Sequence, residues 1–97
     1  MGQAPALKVR YTNHAVRQID RALDYIAERS PRGAEAVRLR LIDTVAMLEG
    51  HPYSGHLTSW RGARRLVLSP YPYLLEYRLA GGEIIVMRFR HSSRRPV

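Results

Sequence analysis

Arginine is the residue type with the clearest chemistry in this sequence, and it is concentrated in the second half of the chain. The 97-residue protein carries a formal net charge of +8 at pH 7, and Lys8 is the only lysine among its 16 basic residues. Residues 51–97 contain eight arginines against two carboxylates, Glu76 and Glu83. Guanidinium groups bind phosphate or carboxylate through paired hydrogen bonds and stack on flat rings. We therefore expect the second half of the chain to meet an anionic partner.

All of these arginines except Arg61 fall on three strand-like runs and a tail, so neighbouring strands can bring them together. Tyr71, Tyr73 and Tyr77 lie close by in the sequence. Arginine beside tyrosine suits the phosphates and bases of a nucleic acid, and the same surface suits an acidic protein segment. The residues that we predict to bind a partner are Arg64, Arg65, Arg78, Arg88, Arg90 and Arg94.

Histidine and glutamate supply the candidates for proton transfer and ion pairing. His91 closes the last strand, and a histidine there suits an acid or base, or a hydrogen bond that fixes the strand end. Glu76 lies in the middle of a strand, where a salt bridge across the sheet is the expected role. The other histidines lack metal-ligand spacing, and the absence of cysteine excludes disulfides and thiolate zinc sites. We expect no metal and no cofactor.

The length of the chain and its apolar runs indicate a single domain over residues 1–97, with residues 1–6 and 92–97 as flexible ends. No run approaches the roughly 20 apolar residues that cross a bilayer. The first six residues also lack the apolar core of a secretion signal. We therefore expect a cytoplasmic protein with no membrane partner.

Apolar spacing predicts two helices joined by a short link. One stripe of the first helix comprises Val16, Ile19, Leu23 and Ile26, after a capping Thr12-Asn13 and before a stop at Ser30-Pro31. The stripe of the second helix comprises Ala34, Val37, Leu41, Val45 and Leu48, and the helix ends at Gly50 and Pro52. The link between them is expected at Arg32-Gly33. Such a short connection makes an antiparallel helical hairpin.

Alternating residues predict four strands around that hairpin. They are residues 7–11, 64–68, 73–79 and 83–90, with residues 51–63 as a loop in which Trp60 docks on the edge of the core. Strict alternation places Ile85, Met87 and Phe89 on one face of the last strand. The order β-α-α-β-β-β predicts an α+β fold, in which the helical hairpin packs on a small, mostly antiparallel sheet.

Three segments in this order resemble the RelE/ParE superfamily of bacterial toxins. The run RLVLSPYPYLLEYR, from Arg65 to Arg78, is similar to the strand pair of that family. The run EIIVMRFRHSSR, from Glu83 to Arg94, is similar to its closing strand, and HPYSG at residues 51–55 is similar to its loop after the second helix. The resemblance covers residues 7–95.

The resemblance implies the toxin of a type II toxin–antitoxin pair, neutralised by a cognate antitoxin. ParE-like members inhibit DNA gyrase, and RelE-like members cleave messenger RNA on the ribosome. The ending RFRHSSRRP resembles the ParE-like form, so we expect a gyrase inhibitor. In the RelE-like alternative, Arg65, Arg88 and His91 match the positions of the catalytic residues. Ser92 stands where a tyrosine follows in the nucleases, and the loop offers no lysine, so the sequence leaves open whether this chain is an enzyme.

Overall fold

The computed structural model describes residues 7–93 and contains the predicted elements with one addition. In chain order these are β1 (Lys8–Tyr11), α1 (Asn13–Arg29), α2 (Pro31–Gly50), β2 (His56–Leu57), β3 (Arg64–Val67), β4 (Tyr73–Ala80) and β5 (Glu83–His91). The addition is β2, a two-residue strand inside the segment predicted to be a loop. The predicted α+β arrangement is confirmed.

Ser30 alone joins the two helices. Its N–H donates to the carbonyl of Ile26 at 2.7 Å and ends α1, while its hydroxyl accepts the N–H of Gly33 at 2.9 Å and caps α2. Pro31 occupies the first turn of α2, where its missing N–H costs nothing and its fixed φ suits the helix. The link predicted at Arg32-Gly33 is therefore already helical.

The sheet has five strands in the order β1-β5-β4-β3-β2. β1 runs parallel to β5, and the other three neighbouring pairs are antiparallel. The helical hairpin separates β1 from the other strands in sequence. The chain then returns, so that its last strand, β5, lies beside its first strand, β1. β5 is consequently an inner strand, held between β1 and β4.

A β-bulge shifts the alternation of β5 by one residue. The sequence pattern predicts Ile85, Met87 and Phe89 on one face, but the residues packed into the core are Ile84, Val86 and Phe89. The strand register has an irregularity in the middle of β4, where Met87 receives no cross-strand partner. The prediction is wrong because an extra residue reverses the face of everything that follows it.

Both helices lie on one face of the sheet and bury its apolar side. α1 packs against α2 and β5, and α2 packs against β1. The largest fully buried side chains are Tyr77, Phe89, Leu48, Leu68, Leu75, Ile84 and Val86. Neither helix of residues 7–93 is long and apolar enough to cross a membrane.

Candidate partner-binding face

The sheet has a second face, turned away from the helices, which we call the open face. Directly paired residues of neighbouring antiparallel strands share a face. Leu75 and Tyr77 of β4 point into the core, so the residues that alternate with them, and their partners on β3 and β5, point the other way. The side chains on the open face include those of Arg65, Val67, Leu74, Glu76, Arg78, Ile85, Arg88 and Arg90, with Glu83 and its ion-pair partner Arg10 at the β1 side.

Glu76 lies at the centre of the open face and holds two of these arginines. One carboxylate oxygen, Oε2, accepts hydrogen bonds from Nε and Nη2 of Arg65 at 3.2 and 3.0 Å. The other, Oε1, lies 3.8 Å from Nε of Arg90. The Glu76 side chain is 7% exposed, that of Arg90 16% and that of Arg65 41%. The predicted salt bridge across the sheet is confirmed, and Arg65 keeps much of its guanidinium in solvent.

Trp60 stacks with two further arginines of the open face. The guanidinium carbons of Arg78 and Arg88 lie 5.4 and 5.2 Å from its ring centroid, within the range of cation–π attraction. The indole remains 45% exposed. The sequence predicts that Trp60 docks on the edge of the core, and this prediction is therefore wrong. Trp60 forms, with its two arginines, an exposed flat cationic surface.

Arg64 serves the loop after α2 and does not point to the open face. Its Nη1 donates to the carbonyls of Tyr53 and Gly55 at 3.2 and 2.9 Å, and the guanidinium lies 5.0 Å from the Tyr53 ring centroid. Its register partner is Tyr77, a core residue. The structure thus separates Arg64 from Arg65, its neighbour in the predicted binding set.

Tyr77 fixes the same loop from the core side. Its hydroxyl donates to the Pro52 carbonyl at 2.7 Å and accepts the Gly55 N–H at 2.9 Å. Burial raises the pKa of the Tyr77 phenol, and the Gly55 hydrogen bond and the charge of Arg64 oppose this in part. A Cβ on Gly55 would lie only 2.8 Å from the Tyr77 ring and hydroxyl, so glycine is required by close packing. These contacts explain the spacing of proline and glycine in HPYSG.

His91 lies on the helix side of the sheet. It pairs in register with Tyr73, and the two rings meet edge to face with centroids 5.3 Å apart. The backbone N–H of Ser93 donates to its Nδ1 at 3.1 Å, and the Ser93 hydroxyl lies 2.7 Å from the same atom. An N–H can only donate, so Nδ1 is the acceptor in the contact with the Ser93 backbone.

The proposed catalytic set is consequently divided between the two faces. Arg65 and Arg88 both pair with Glu76 on the open face, whereas His91 belongs to the opposite face. The predicted binding set is brought together more completely, because Arg65, Arg78, Arg88 and Arg90 share the open face. Arg94 lies outside the described residues.

Two residues of this region are not anticipated by sequence reasoning. From the sequence, Trp60 is simply an aromatic residue in a loop, because none of its neighbours in the chain indicates that its ring contacts arginines of two strands. From the sequence, Gln18 is one of several polar residues of α1. In the structure its Oε1 accepts the backbone N–H of Phe89 at 2.9 Å. The two residues are 71 positions apart, so the pattern of residue types along the chain does not predict this contact. In residues 7–93, no cluster of three or more His, Asp or Glu side chains could hold a metal ion.

Three matches to known proteins agree with one another. Over residues 9–96 the chain matches a family described as ParE toxin of type II toxin-antitoxin system, parDE. It is 33% identical over 87 residues to Toxin RelE2 of Caulobacter vibrioides, covering 90% of this chain and 97% of that protein.

The third match is a solved structure, described as the chromosomal ParDE TA system from P. aeruginosa. It superposes with a TM-score of 0.77 and covers 89% of this chain and 96% of that chain. The sequence identity is 21%, so this likeness shows a shared fold.

Proposed function

This chain belongs to the ParE toxin family of type II toxin–antitoxin systems, and from that premise we propose that it arrests growth by binding and inhibiting DNA gyrase. A toxin of such a system has a cognate antitoxin as its partner. The proposal treats residues 1–97 as one toxin domain that acts in the cytoplasm, where gyrase works. Inhibition by binding requires no bond-breaking chemistry from the toxin itself.

The observation that carries the proposal is the position of His91. A nuclease of this fold needs a group that removes the 2′-hydroxyl proton, next to cations that stabilise the charge on the phosphate. Arg65 and Arg88 supply cations on the open face, but His91 lies on the other face. Its Nδ1 accepts the N–H of Ser93. The separation of the ring from both arginines supports inhibition by binding rather than cleavage.

The open face supports a binding role. Arg78 and Arg88 present guanidinium groups beside the exposed ring of Trp60, and Arg65 lies on the same face in its ion pair with Glu76. Buried Glu76 and its ion pairs hold part of this cluster in a fixed arrangement, so less side-chain entropy is lost when a partner binds. We expect an acidic, amphipathic segment of the antitoxin to lie over this face and neutralise the toxin.

A supercoiling assay with purified gyrase and relaxed plasmid tests the gyrase proposal. We expect the wild-type protein to inhibit supercoiling, and His91→Gln to inhibit equally well, because His91 performs no chemistry. Preincubation with the cognate antitoxin should restore supercoiling. The parallel measurement is the integrity of a reporter messenger RNA on translating ribosomes, which should remain uncut.

Ribosome-dependent cleavage of messenger RNA is the second candidate function. Arg65 and Arg88 flank Glu76 on one solvent-facing surface, and such a cationic cluster suits a scissile phosphate. In that case Arg65, Arg88 and His91 are the catalytic residues. Messenger RNA cut within codons while supercoiling stays normal, with cleavage lost in His91→Gln, would establish this function in place of gyrase inhibition.

A further inference from the structure

The bulge in β5 determines which face of the sheet Arg88 and Arg90 occupy. Val86 points into the core, so uninterrupted alternation would send Arg88 and Arg90 to the same side, under the helices. Met87 is the extra residue, without a partner on β4. It shifts the alternation by one position, so that Phe89 enters the core and both arginines reach the open face.

The bulged register is also bonded on the β1 side of β5. β1 pairing ends at Tyr11, opposite Val86, and just beyond it the N–H of Thr12 donates to the carbonyl of Val86 at 3.0 Å. The Thr12 hydroxyl then donates to the Met87 carbonyl at 3.4 Å, and the next N–H on this side of β5 is that of Phe89, which the side-chain oxygen of Gln18 accepts at 2.9 Å. The side-chain amide of Gln18, from α1, thus supplies the acceptor for this N–H beyond the end of β1.

The Gln18 hydrogen bond distinguishes the bulged register from a straight one. Along a regular strand, backbone N–H groups alternate between the two neighbouring edges. A straight strand continuing from Val86 would turn the N–H of Arg88 towards Gln18 and that of Phe89 towards β4. The bond observed is to Phe89, so Gln18 bonds the group that only the bulged register presents to it.

We infer that Gln18 is a positioning residue, which holds β5 in the bulged register and thereby presents Arg88 and Arg90 on the partner-binding face. The inference rests on the proposed function only in treating that face as the one a partner meets. Gln18 itself lies on α1 and makes its contact at the backbone of β5. Its effect on binding is therefore indirect, through the placement of two cations.

Gln18→Met and Gln18→Glu form the matched pair of variants. Methionine keeps the length of the side chain and removes the amide oxygen, whereas glutamate keeps an acceptor at the same distance. Val45→Ala serves as a control for general loss of stability, because Val45 is buried on α2, which does not carry the bulge. All three are compared with the wild type as the full chain.

The first readout is amide hydrogen exchange of Phe89 by NMR. We expect protection in the wild type and in Gln18→Glu, and exchange at least about fivefold faster in Gln18→Met, because a net hydrogen bond is worth about 1 kcal/mol. Val45→Ala should not accelerate Phe89 more than the other β5 amides. Equal protection of Phe89 in Gln18→Met and the wild type would overturn the inference.

The second readout is quenching of Trp60 fluorescence by iodide, compared with neutral acrylamide. Trp60 is the only tryptophan, and the guanidinium groups of Arg78 and Arg88 attract iodide to it. The excess of iodide quenching over acrylamide quenching should fall by at least about half in Gln18→Met, because Arg88 leaves the ring. Gln18→Glu should retain this excess. A loss of equal size in Val45→Ala would show that Gln18 acts through stability alone, and the positioning role would fall.

These measurements need neither gyrase nor ribosomes, so a failure of the proposed target leaves their outcome intact. If Gln18→Met does not fold, the wild type still decides the matter. An unprotected Phe89 amide in the wild type would mean that the Gln18 bond does not hold the register in solution. Protection that equals that of the neighbouring inner-strand amides is the expected result.

Discussion

At the scale of single residues, the loop after α2 shows how a short motif acquires its spacing. Gly55 lies against the Tyr77 ring, and the hydroxyl of Tyr77 bonds both Gly55 and Pro52. The proline carbonyl, the glycine N–H and the phenol therefore form one small unit. Arg64 closes the unit from outside through the Tyr53 and Gly55 carbonyls.

We expect Gly55→Ala to destabilise the protein by about 1–3 kcal/mol, because the added methyl group must displace Tyr77 or Arg64. Gly50→Ala is the matched control: it lies in α2 with no atom within 4 Å of its added Cβ, and alanine favours the helix. Urea unfolding of both variants and the wild type measures the difference. Equal stability of Gly55→Ala and Gly50→Ala would contradict the close packing.

We expect the contribution of Tyr77 to stability to disappear at high pH. Burial raises the pKa of the Tyr77 phenol above its ordinary value of 10.0, so the folded protein holds this proton more tightly than the unfolded chain. The stabilisation is therefore complete below pH 10 and is lost as pH rises through the folded-state pKa.

Tyr77→Phe is the variant that isolates this effect. It should be less stable than the wild type by about 1–3 kcal/mol near pH 7, because Gly55 and Pro52 lose a buried partner. The difference in free energy of unfolding should shrink between pH 10 and pH 11. Tyr11, whose pKa is also raised by burial, is present in both proteins and cancels in the comparison. A difference that stays constant to pH 11 would contradict the assignment.

At the scale of secondary-structure elements, strong periodic signals were sufficient for both helices and the four longer strands. Capping by Thr12 and Ser30 is local chemistry, so the sequence reveals it directly. β2 is different, because two residues cannot display alternation and it exists only through its pairing with β3. The bulge at Met87 is equally absent from the sequence pattern, because it depends on how β4 and β5 align.

The candidate site was predictable to the extent that it depends on strand faces. Arg65, Arg78, Arg88 and Arg90 meet as neighbouring strands require. Their common face could not be derived correctly from alternation alone, because the bulge reverses it within β5. The separation of His91 from Arg65 also follows from that register. The family resemblance, in contrast, was carried by short motifs in order and is confirmed.

At the scale of the whole molecule, charge is distributed to match the architecture. The helical side carries acidic and basic residues together, and pairs such as Arg38–Glu35 neutralise one another there. The open face has two carboxylates: Glu76 is buried beneath its arginines, and Glu83 forms an ion pair with Arg10 of β1. An acidic partner approaching at low salt is therefore directed to one side of the molecule.

We expect Arg78→Glu combined with Arg88→Glu to weaken antitoxin binding by more than about 100-fold at moderate salt, because attraction is replaced by repulsion on the open face. Arg90 and Arg65 are left intact, because these are the two arginines that form ion pairs with Glu76. The control, Arg29→Glu combined with Arg38→Glu, makes the same change in net charge on exposed helix positions. Calorimetric titration with the cognate antitoxin measures both. Equal affinities for the two double variants would exclude the open face as the docking surface.

The placement of β5 between β1 and β4 has a consequence for the synthesis of the protein. β1 and both helices leave the ribosome first, yet β5, against which β1 and α1 pack, begins only at Glu83, and the contact between Thr12 and Met87 spans 75 positions. Non-local pairing of this kind folds late, because the chain between the partners must close first. The apolar side of the hairpin therefore stays uncovered until residues 83–91 emerge. During that interval the nascent chain has no assembled open face.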